Sequence, residues 1–135
     1  MSEVALPRGV VNRLLAQAQQ SPEAEVCGLI GARDGVPVHV YPVANAAADP
    51  ARVFVMAPDA QIDAMRRMRE CGETLFAIYH SHPHAPAAPS ARDLAEAAYP
   101  DALYLIISLD TRGVLDMRGF RLHGSQVETV ALSLV

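Results

Sequence analysis

The sequence predicts an α/β domain in which helices cover both faces of one mixed β-sheet. Three observations lead to this prediction. Segments with helical and with strand periodicity alternate through the middle of the chain, and the chain ends in two consecutive strand-like segments. The 135 residues, 51% of them hydrophobic, have the length and composition of one domain. We therefore expect residues 1–135 to fold as a single unit around one sheet.

A helix and a hairpin are predicted in the first third of the chain. Apolar residues recur at helical spacing before Pro22, which cannot continue the helix. Asp34 and Gly35 are typical of a two-residue hairpin turn, and the segments on either side of them are rich in Val and Ile. The predicted elements are a helix at residues 6–20 and antiparallel strands at residues 25–33 and 36–43.

A short strand, a second helix and a longer strand are predicted next. Pro58 is typical of a first helical turn, and Gly72 is typical of the position just after a last turn. Between them Ile62, Met65 and Met68 form an apolar helix face. The predicted elements are a strand at residues 52–56, the helix that Pro58 opens, and a strand at residues 74–80.

The remainder of the chain alternates a helix with strands. Two segments rich in alanine and proline, residues 44–50 and 85–89, read as loops, and Asp110 begins a turn that extends to Gly113. The predicted elements are a helix at residues 90–99 and strands at residues 103–110, 114–122 and 127–135.

The composition excludes several classes of protein. No apolar stretch approaches the roughly 20 residues of a membrane span, so we expect a soluble, cytoplasmic protein. Cys27 and Cys71 are too few for a disulfide framework and form no CxxC pair, so both are expected to be reduced thiols. A formal charge of -4 argues against a nucleic-acid surface.

The segment HSHPHAPAAPSARD, residues 80–93, concentrates groups that bind metals. His80 and His82 lie two apart at the end of a predicted strand, and such spacing directs both imidazoles to the same side. A catalytic zinc site usually has three protein ligands and leaves one position open. Asp93 is the favoured third ligand because the proline-rich loop makes a continued strand improbable, and His84 is its rival.

Ordinary structural interpretations compete with a metal site. Ser90 and Asp93, three residues apart, form a capping box by themselves, and an isolated pair of histidines is more often unrelated to metal. Cys27 lies in an apolar run without a basic neighbour in sequence, so we interpret it as a small core residue and not as a nucleophile. His39 and His123 are lone histidines without an assigned role.

The same segment resembles the HxHP and PSxxD signature of the JAMM metalloproteases, also called MPN+ domains. Upstream, EVCGLIG at residues 25–31 resembles the family's strand whose glutamate belongs to the active site, and residues 99–109 resemble the strand after the metal helix in small bacterial members. The resemblance implies that His80, His82 and Asp93 bind zinc. It also implies that Glu25 transfers the proton and that Ser90 helps to stabilise the oxyanion.

The resemblance further implies a fold and a reaction. The fold is a single MPN domain, an α/β sandwich akin to cytidine deaminases. The reaction is hydrolysis, by water that zinc activates, of an amide or isopeptide bond after the C-terminal Gly-Gly of a ubiquitin-like protein. In the small bacterial branch, sulfur-carrier proteins with ubiquitin-like folds are the implied partners. We also expect residues 52–56 to form an exposed edge strand that pairs with the substrate tail.

Four other functions are weighed against this one. A catalytically silent MPN scaffold would be expected to lose zinc ligands, which this chain retains. A zinc deaminase requires H-x-E and P-C-x-x-C motifs, and neither occurs. RadC-like proteins typically begin this motif with HNHPSG, from which HSHPHA departs. A peptidase of the same family acting on cell-wall peptides remains an alternative.

Overall fold

The computed structural model describes residues 3–110 and 115–135. Residues 111–114, which include most of the predicted turn, lie outside the described residues. The elements are β1 (Glu3–Leu6), α1 (Arg8–Gln19), β2 (Cys27–Arg33), β3 (Val36–Val43), α2 (Pro58–Glu70), β4 (Thr74–His82), α3 (Ala91–Glu96), β5 (Leu103–Ser108), β6 (Asp116–His123) and β7 (Gln126–Leu134).

Seven strands form one sheet in the order β1-β7-β6-β5-β4-β2-β3. The β1–β7 and β4–β5 pairs are parallel, and the other pairs are antiparallel. Every residue of β5 is buried, as expected for a central strand with both faces covered. The predicted mixed sheet is therefore confirmed.

The two faces of the sheet carry different helices. Leu14 on α1 belongs to an apolar cluster with Tyr79 of β4, whereas Met68 on α2 belongs to a second cluster with Ile78. Because side chains alternate along a strand, the side chains two and four positions after Ile78 share its face. His80 and His82 therefore lie on the face that α2 covers, and Ser81 lies on the opposite face.

The predicted turn chemistry is confirmed at two places. Asp34 and Gly35 have φ values of 54° and 79°, the left-handed conformations that a tight hairpin turn requires. Gly72, with φ of 71°, directly follows Cys71, the C-cap residue of α2. The hairpin places β2 between β3 and β4, so that the start of β2 lies beside the end of β4.

Residues 52–56 do not form the predicted strand. Residues 51–52 are a turn, and within this segment the described residues contain one isolated bridge, between Asn45 and Met56. The backbone N–H groups of Arg52 and Val53 donate to Asp49 O, each at 3.2 Å, which closes a turn in place of a ladder. The short apolar run predicted a strand, but none of the strands that the structure describes pairs with it.

Other differences from the predicted structure concern an additional short strand, the end of one helix and the exposure of one apolar side chain. Strand β1 has only four residues and pairs with the distant β7, so no local periodicity indicated it. Helix α3 stops at Glu96, before Tyr99, because Ala97 has an extended conformation. Ile62 is 67% exposed, so the apolar face of α2 is narrower than predicted. Among the described residues, the longest helix has 13 residues, too short to cross a membrane.

Candidate metal and catalytic site

His80 and His82 converge at the end of β4, where both side chains are buried. Their Nε2 atoms are 3.0 Å apart, and each lies 3.2 Å from Oδ2 of Asp93. Ligand atoms of a tetrahedral zinc ion with bonds of about 2.0–2.1 Å lie about 3.3 Å from one another. Two imidazole nitrogens and one carboxylate oxygen at this spacing fit such an ion.

Asp93 reaches the histidines from the first turn of α3. The Ser90 side chain caps this helix by accepting a hydrogen bond from Asp93 N at 3.0 Å, and Ser90 N donates to Asp93 Oδ2 at 2.8 Å. The capping box that the tetrapeptide SARD predicts is therefore present. It also orients the carboxylate toward His80 and His82, so capping and the proposed metal binding do not exclude each other.

A hydrogen bond defines the tautomer of His82. Its Nδ1 lies 2.8 Å from Pro86 O. Because a carbonyl oxygen only accepts, Nδ1 carries a proton, and Nε2 is the nitrogen that would give up its proton to bind a metal through its lone pair. Nδ1 of His80 is buried without a hydrogen-bond partner among the described residues.

Burial and the Asp93 carboxylate determine the ionisation of the cluster. Burial lowers the pKa of His80, more than the hydrogen bond and charge of Asp93 raise it. Burial also acts to lower the pKa of His82, but the hydrogen bonds to Asp93 and Pro86, together with the charges of Asp93 and Glu25, raise this pKa overall. Burial would raise the pKa of Asp93, yet hydrogen bonds from both histidines hold that pKa well below its usual range. The site thus offers an ionised carboxylate.

Glu25 lies just before β2, the strand whose first residue, Cys27, pairs with His80. Its carboxylate oxygen and one ring nitrogen each of His80 and His82 lie within 4.8 Å of one another, a group that could hold a metal ion. Glu25 is 5% exposed, and its Oε1 makes no hydrogen bond among the described residues. Burial raises the pKa of this carboxyl to about 7. Such a pKa suits a group that exchanges protons near neutral pH.

The other candidates from the sequence lie outside this cluster. His84, the rival third ligand, is exposed, and its Nε2 lies 3.7 Å from Glu23. His39 bonds to Glu73 at 2.6 Å, away from the site. Cys27 is fully buried, and burial raises the pKa of its thiol to about 12, so a thiolate nucleophile is not available. The interpretation of Cys27 as a core residue is confirmed.

Sequence reasoning missed three residues that surround the cluster. Phe54 stacks on His80, with ring centroids 4.4 Å apart and planes at 26°. Ser81, between the two histidines in sequence, accepts a hydrogen bond from Val26 N at 2.9 Å. Asn45 donates to Glu25 O at 3.0 Å. Only Ser81 carried a local signal, its position between the two histidines.

Two clefts flank the cluster, and Arg52 and Ser90 line both. The first, about 470 Å³, extends from His80 to an apolar floor. The second, about 650 Å³, lies beside Glu25 and His82. A substrate that spans both clefts would cross the cluster with its backbone beside Ser90. The remaining residues of the apolar floor and walls are Val53, Phe54, Ala97, Tyr104, Ile106 and Leu122.

Residues 7–122 match the family model described as prokaryotic homologs of the JAB domain. The chain therefore belongs to the prokaryotic JAB family, and the recognition of a JAMM/MPN domain from its motifs is confirmed.

Three curated relatives are, by name, a protease, a desampylase and a peptidase. The chain is 34% identical over 128 residues to a probable TtuB-protein conjugate cleaving protease of Thermus thermophilus, covering 94% of this chain and 82% of the relative. It is 32% identical over 117 residues to a desampylase of Haloferax volcanii, covering 82% of this chain and 84% of the relative. It is 28% identical over 128 residues to a CysO-cysteine peptidase of Mycobacterium bovis, covering 93% of this chain and 87% of the relative.

Solved structures agree on the fold. A protein from Desulfitobacterium hafniense with 35% identity superposes with a TM-score of 0.85, covering 97% of this chain and 92% of that one. A JAB1/MPN domain protein from Archaeoglobus fulgidus, at 19% identity, superposes with a TM-score of 0.65 over 98% of this chain and 99% of that one. The predicted MPN fold is confirmed.

Two substitutions at Ser90 separate its capping role from a catalytic role. Ser90→Ala removes the cap and should cost about 0.5–2 kcal/mol of stability, whereas Ser90→Gly should cost only a few tenths. If the hydroxyl stabilises an oxyanion, both variants should lose about 10²–10³ in kcat. Thermal unfolding and steady-state kinetics of the two variants measure these effects. A Gly variant with normal kcat would leave Ser90 as a cap alone.

Proposed function

We propose that this protein is a zinc-dependent peptidase. Its substrate is a ubiquitin-like sulfur-carrier protein, and it hydrolyses the amide or isopeptide bond after the carrier's C-terminal Gly-Gly. The observation that carries this proposal is the convergence of two imidazole nitrogens and an ionised carboxylate beside a buried glutamate, whose Oε1 accepts no hydrogen bond from the described residues. The names of the relatives, which concern conjugates of TtuB and of CysO, support the substrate class.

In this proposal His80, His82 and Asp93 hold the zinc ion. Bound zinc lowers the pKa of a water ligand to about 7 and polarises the carbonyl of the scissile bond. The Pro86 carbonyl keeps the proton on Nδ1 of His82, so that Nε2 is a lone-pair donor. The α3 cap holds the carboxylate of Asp93 in place.

Glu25 serves as the proton carrier. Its buried carboxylate lies beside His82 and lines the second cleft, where it accepts a proton from the attacking water and donates it to the departing amine. Burial, the main cause of the raised pKa, makes the carboxylate a stronger base than an exposed one. Its Oε1 has no competing donor among the described residues. Ser90, which lines both clefts, donates its hydroxyl hydrogen to the oxyanion.

The substrate tail is held between the two clefts and not by an edge strand at residues 52–56. The backbone groups of Val53 and Val55 already bond to Asp49, Ala46 and the side chain of Asn45. A continuous ladder with a substrate is therefore not available there. Because glycine has no side chain, a Gly-Gly tail can pass close to the buried cluster, where larger residues would clash.

The test compares intact conjugates with short peptides of the same tail. We expect rapid cleavage of a carrier that ends in Gly-Gly and is joined either to an amino acid or to a lysine side chain. Replacing the penultimate glycine with leucine should reduce kcat/KM by at least about tenfold, the effect of 1.4 kcal/mol at the transition state. Hydrolysis is followed by mass spectrometry. Equal cleavage of peptide and conjugate, or tolerance of leucine, would indicate a general peptidase.

The domain organisation and the cellular compartment of the protein also stay predictions. We expect a single domain over residues 1–135 that acts in the cytoplasm. The two cysteines are unpaired, with Cys27 buried and Cys71 exposed, which supports a reducing compartment. Cell fractionation would test the compartment.

A further inference from the structure

The side chain of Asn45 uses its whole hydrogen-bonding capacity on backbone groups beside the cluster. Its Nδ2 donates to Glu25 O at 3.0 Å and to Val53 O at 3.1 Å. Its Oδ1 accepts from Ala47 N and from Val55 N, both at 3.0 Å. A primary amide has two donor hydrogens and two acceptor lone pairs, so no capacity remains. Asn45 therefore joins Glu25 to the segment at residues 53–55.

Glu25 depends on such bonds because it lies outside the β2–β4 ladder, whose first pair is Cys27 with His80. The N–H of Glu25 donates to Pro50 O at 2.7 Å, and its carbonyl accepts from Asn45. The next residue along the chain is held through Ser81, whose N–H and Oγ both bond to its backbone. The backbone carrying the proposed proton carrier is thus held on both sides.

The same amide also holds the neighbours of Phe54. Asn45 bonds Val53 O and Val55 N, the residues on either side of Phe54, whose ring stacks on His80. Phe54 also lines the first cleft. One side chain therefore holds the backbone of two groups beside the histidines, the Phe54 ring stacked on His80 and the Glu25 carboxylate.

We propose that Asn45 is a positioning residue that fixes Glu25 and Phe54 relative to His80. This inference rests on the proposed peptidase function for its kinetic consequence. An amide is required, because a carboxylate at this position would place an acceptor against the carbonyl oxygens of Glu25 and Val53. The hydrogen bond that Val55 N donates to the side chain at this position would remain after that change.

Asn45→Asp tests the donor half with almost no change of shape. We expect zinc uptake like that of the wild type, KM within about threefold and kcat lower by about 10–10²-fold, since small misplacements of catalytic groups cost this much. Asn45→Ala, which is neutral, should also lower kcat and excludes an effect of added charge. Asn12→Asp is the control, because Asn12 is exposed on α1 and is the only other asparagine.

Amide hydrogen exchange follows the same backbone without any substrate. The Val55 N–H donates to Asn45 Oδ1, whereas the Glu25 N–H donates to Pro50 O and exchanges when the backbone that Asn45 holds opens locally. We expect the Glu25 amide to exchange at least about tenfold faster in Asn45→Asp than in the Asn12→Asp control, with the Val55 amide still protected. If wild-type protein cleaves no conjugate, the peptidase proposal fails while these exchange rates still test the bonds. Normal kcat in both Asn45 variants, loss of zinc together with kcat, or fast Glu25 exchange in the wild type would overturn the inference.

Discussion

Replacing Glu25 with glutamine is expected to lower kcat by about 10²–10⁴-fold, the usual contribution of general acid–base catalysis. The amide cannot accept a proton, while its shape and burial are almost unchanged. Zinc content should remain stoichiometric, because the proposed ligands are His80, His82 and Asp93. Kinetics and metal analysis of the same preparation measure both. Glu23→Gln is the matched control, since Glu23 is an exposed neighbour.

The metal-free form of Glu25→Gln provides a second readout. The folded carboxyl has a pKa of about 7 against an ordinary value of 4.5, so between these pH values the folded state binds more protons than the unfolded state. The free energy of unfolding contributed by Glu25 therefore falls as pH rises from about 4.5 to about 7, by at most about 3 kcal/mol. Denaturant titration near these two pH values measures the free energy of unfolding. The wild type should show this decrease with pH, and Glu25→Gln should not.

Two outcomes would contradict this role for Glu25. Near-normal kcat in the glutamine variant would remove the residue from proton transfer. Loss of zinc in the same variant would instead make Glu25 a ligand, which its position within 4.8 Å of the ring nitrogens of His80 and His82 allows. Because the two readouts are independent, they distinguish a base from a ligand.

His80→Ala and His82→Ala are each expected to abolish zinc binding at stoichiometric concentration, and with it all hydrolysis. Either change leaves two protein ligands from the proposed set, whereas catalytic zinc sites usually have three. The fall in affinity should exceed the about 10–100-fold that losing an outer hydrogen-bond partner of a ligand costs. Isothermal titration with zinc and assays with and without a chelator measure these effects.

His84→Ala is the matched control for both histidine variants. His84 belongs to the same short sequence motif but is exposed, with its ring near Glu23 and not near Asp93. We expect this variant to bind zinc and to remain active. If His84→Ala lost the metal while His80→Ala kept it, the ligand assignment would be wrong.

The histidine motif could be interpreted from the sequence because its geometry is local. Two residues of one strand separated by one position must share a face, and a capping box orients its carboxylate within one turn. His80, His82 and Asp93 are accordingly found together. Their metal-binding role stays a prediction, as do the roles of Glu25 and Ser90.

Where contacts are distant in sequence, local patterns were insufficient. The apolar run at residues 52–56 predicted a strand, but a strand exists only where a partner lies in register. Here turn bonds to Asp49 and the side chain of Asn45 satisfy much of the backbone instead. The four residues of β1 have a partner 128 positions away, since Glu3 pairs with Ala131. No periodicity in a short segment encodes such a pairing.

The sequence by itself determined the α/β class, most helices and strands, and the presence of a metal-binding motif, because each of these follows from spacing within one element or turn. The family resemblance named Glu25, but the tertiary structure alone decided how this carboxylate meets the histidines from the start of the neighbouring strand β2 and how strongly it is buried. Glu25 has an ordinary sequence context, and its raised pKa arises only because folding removes it from water beside His82. Desolvation depends on every element that surrounds a group, and for this reason local sequence does not reveal it.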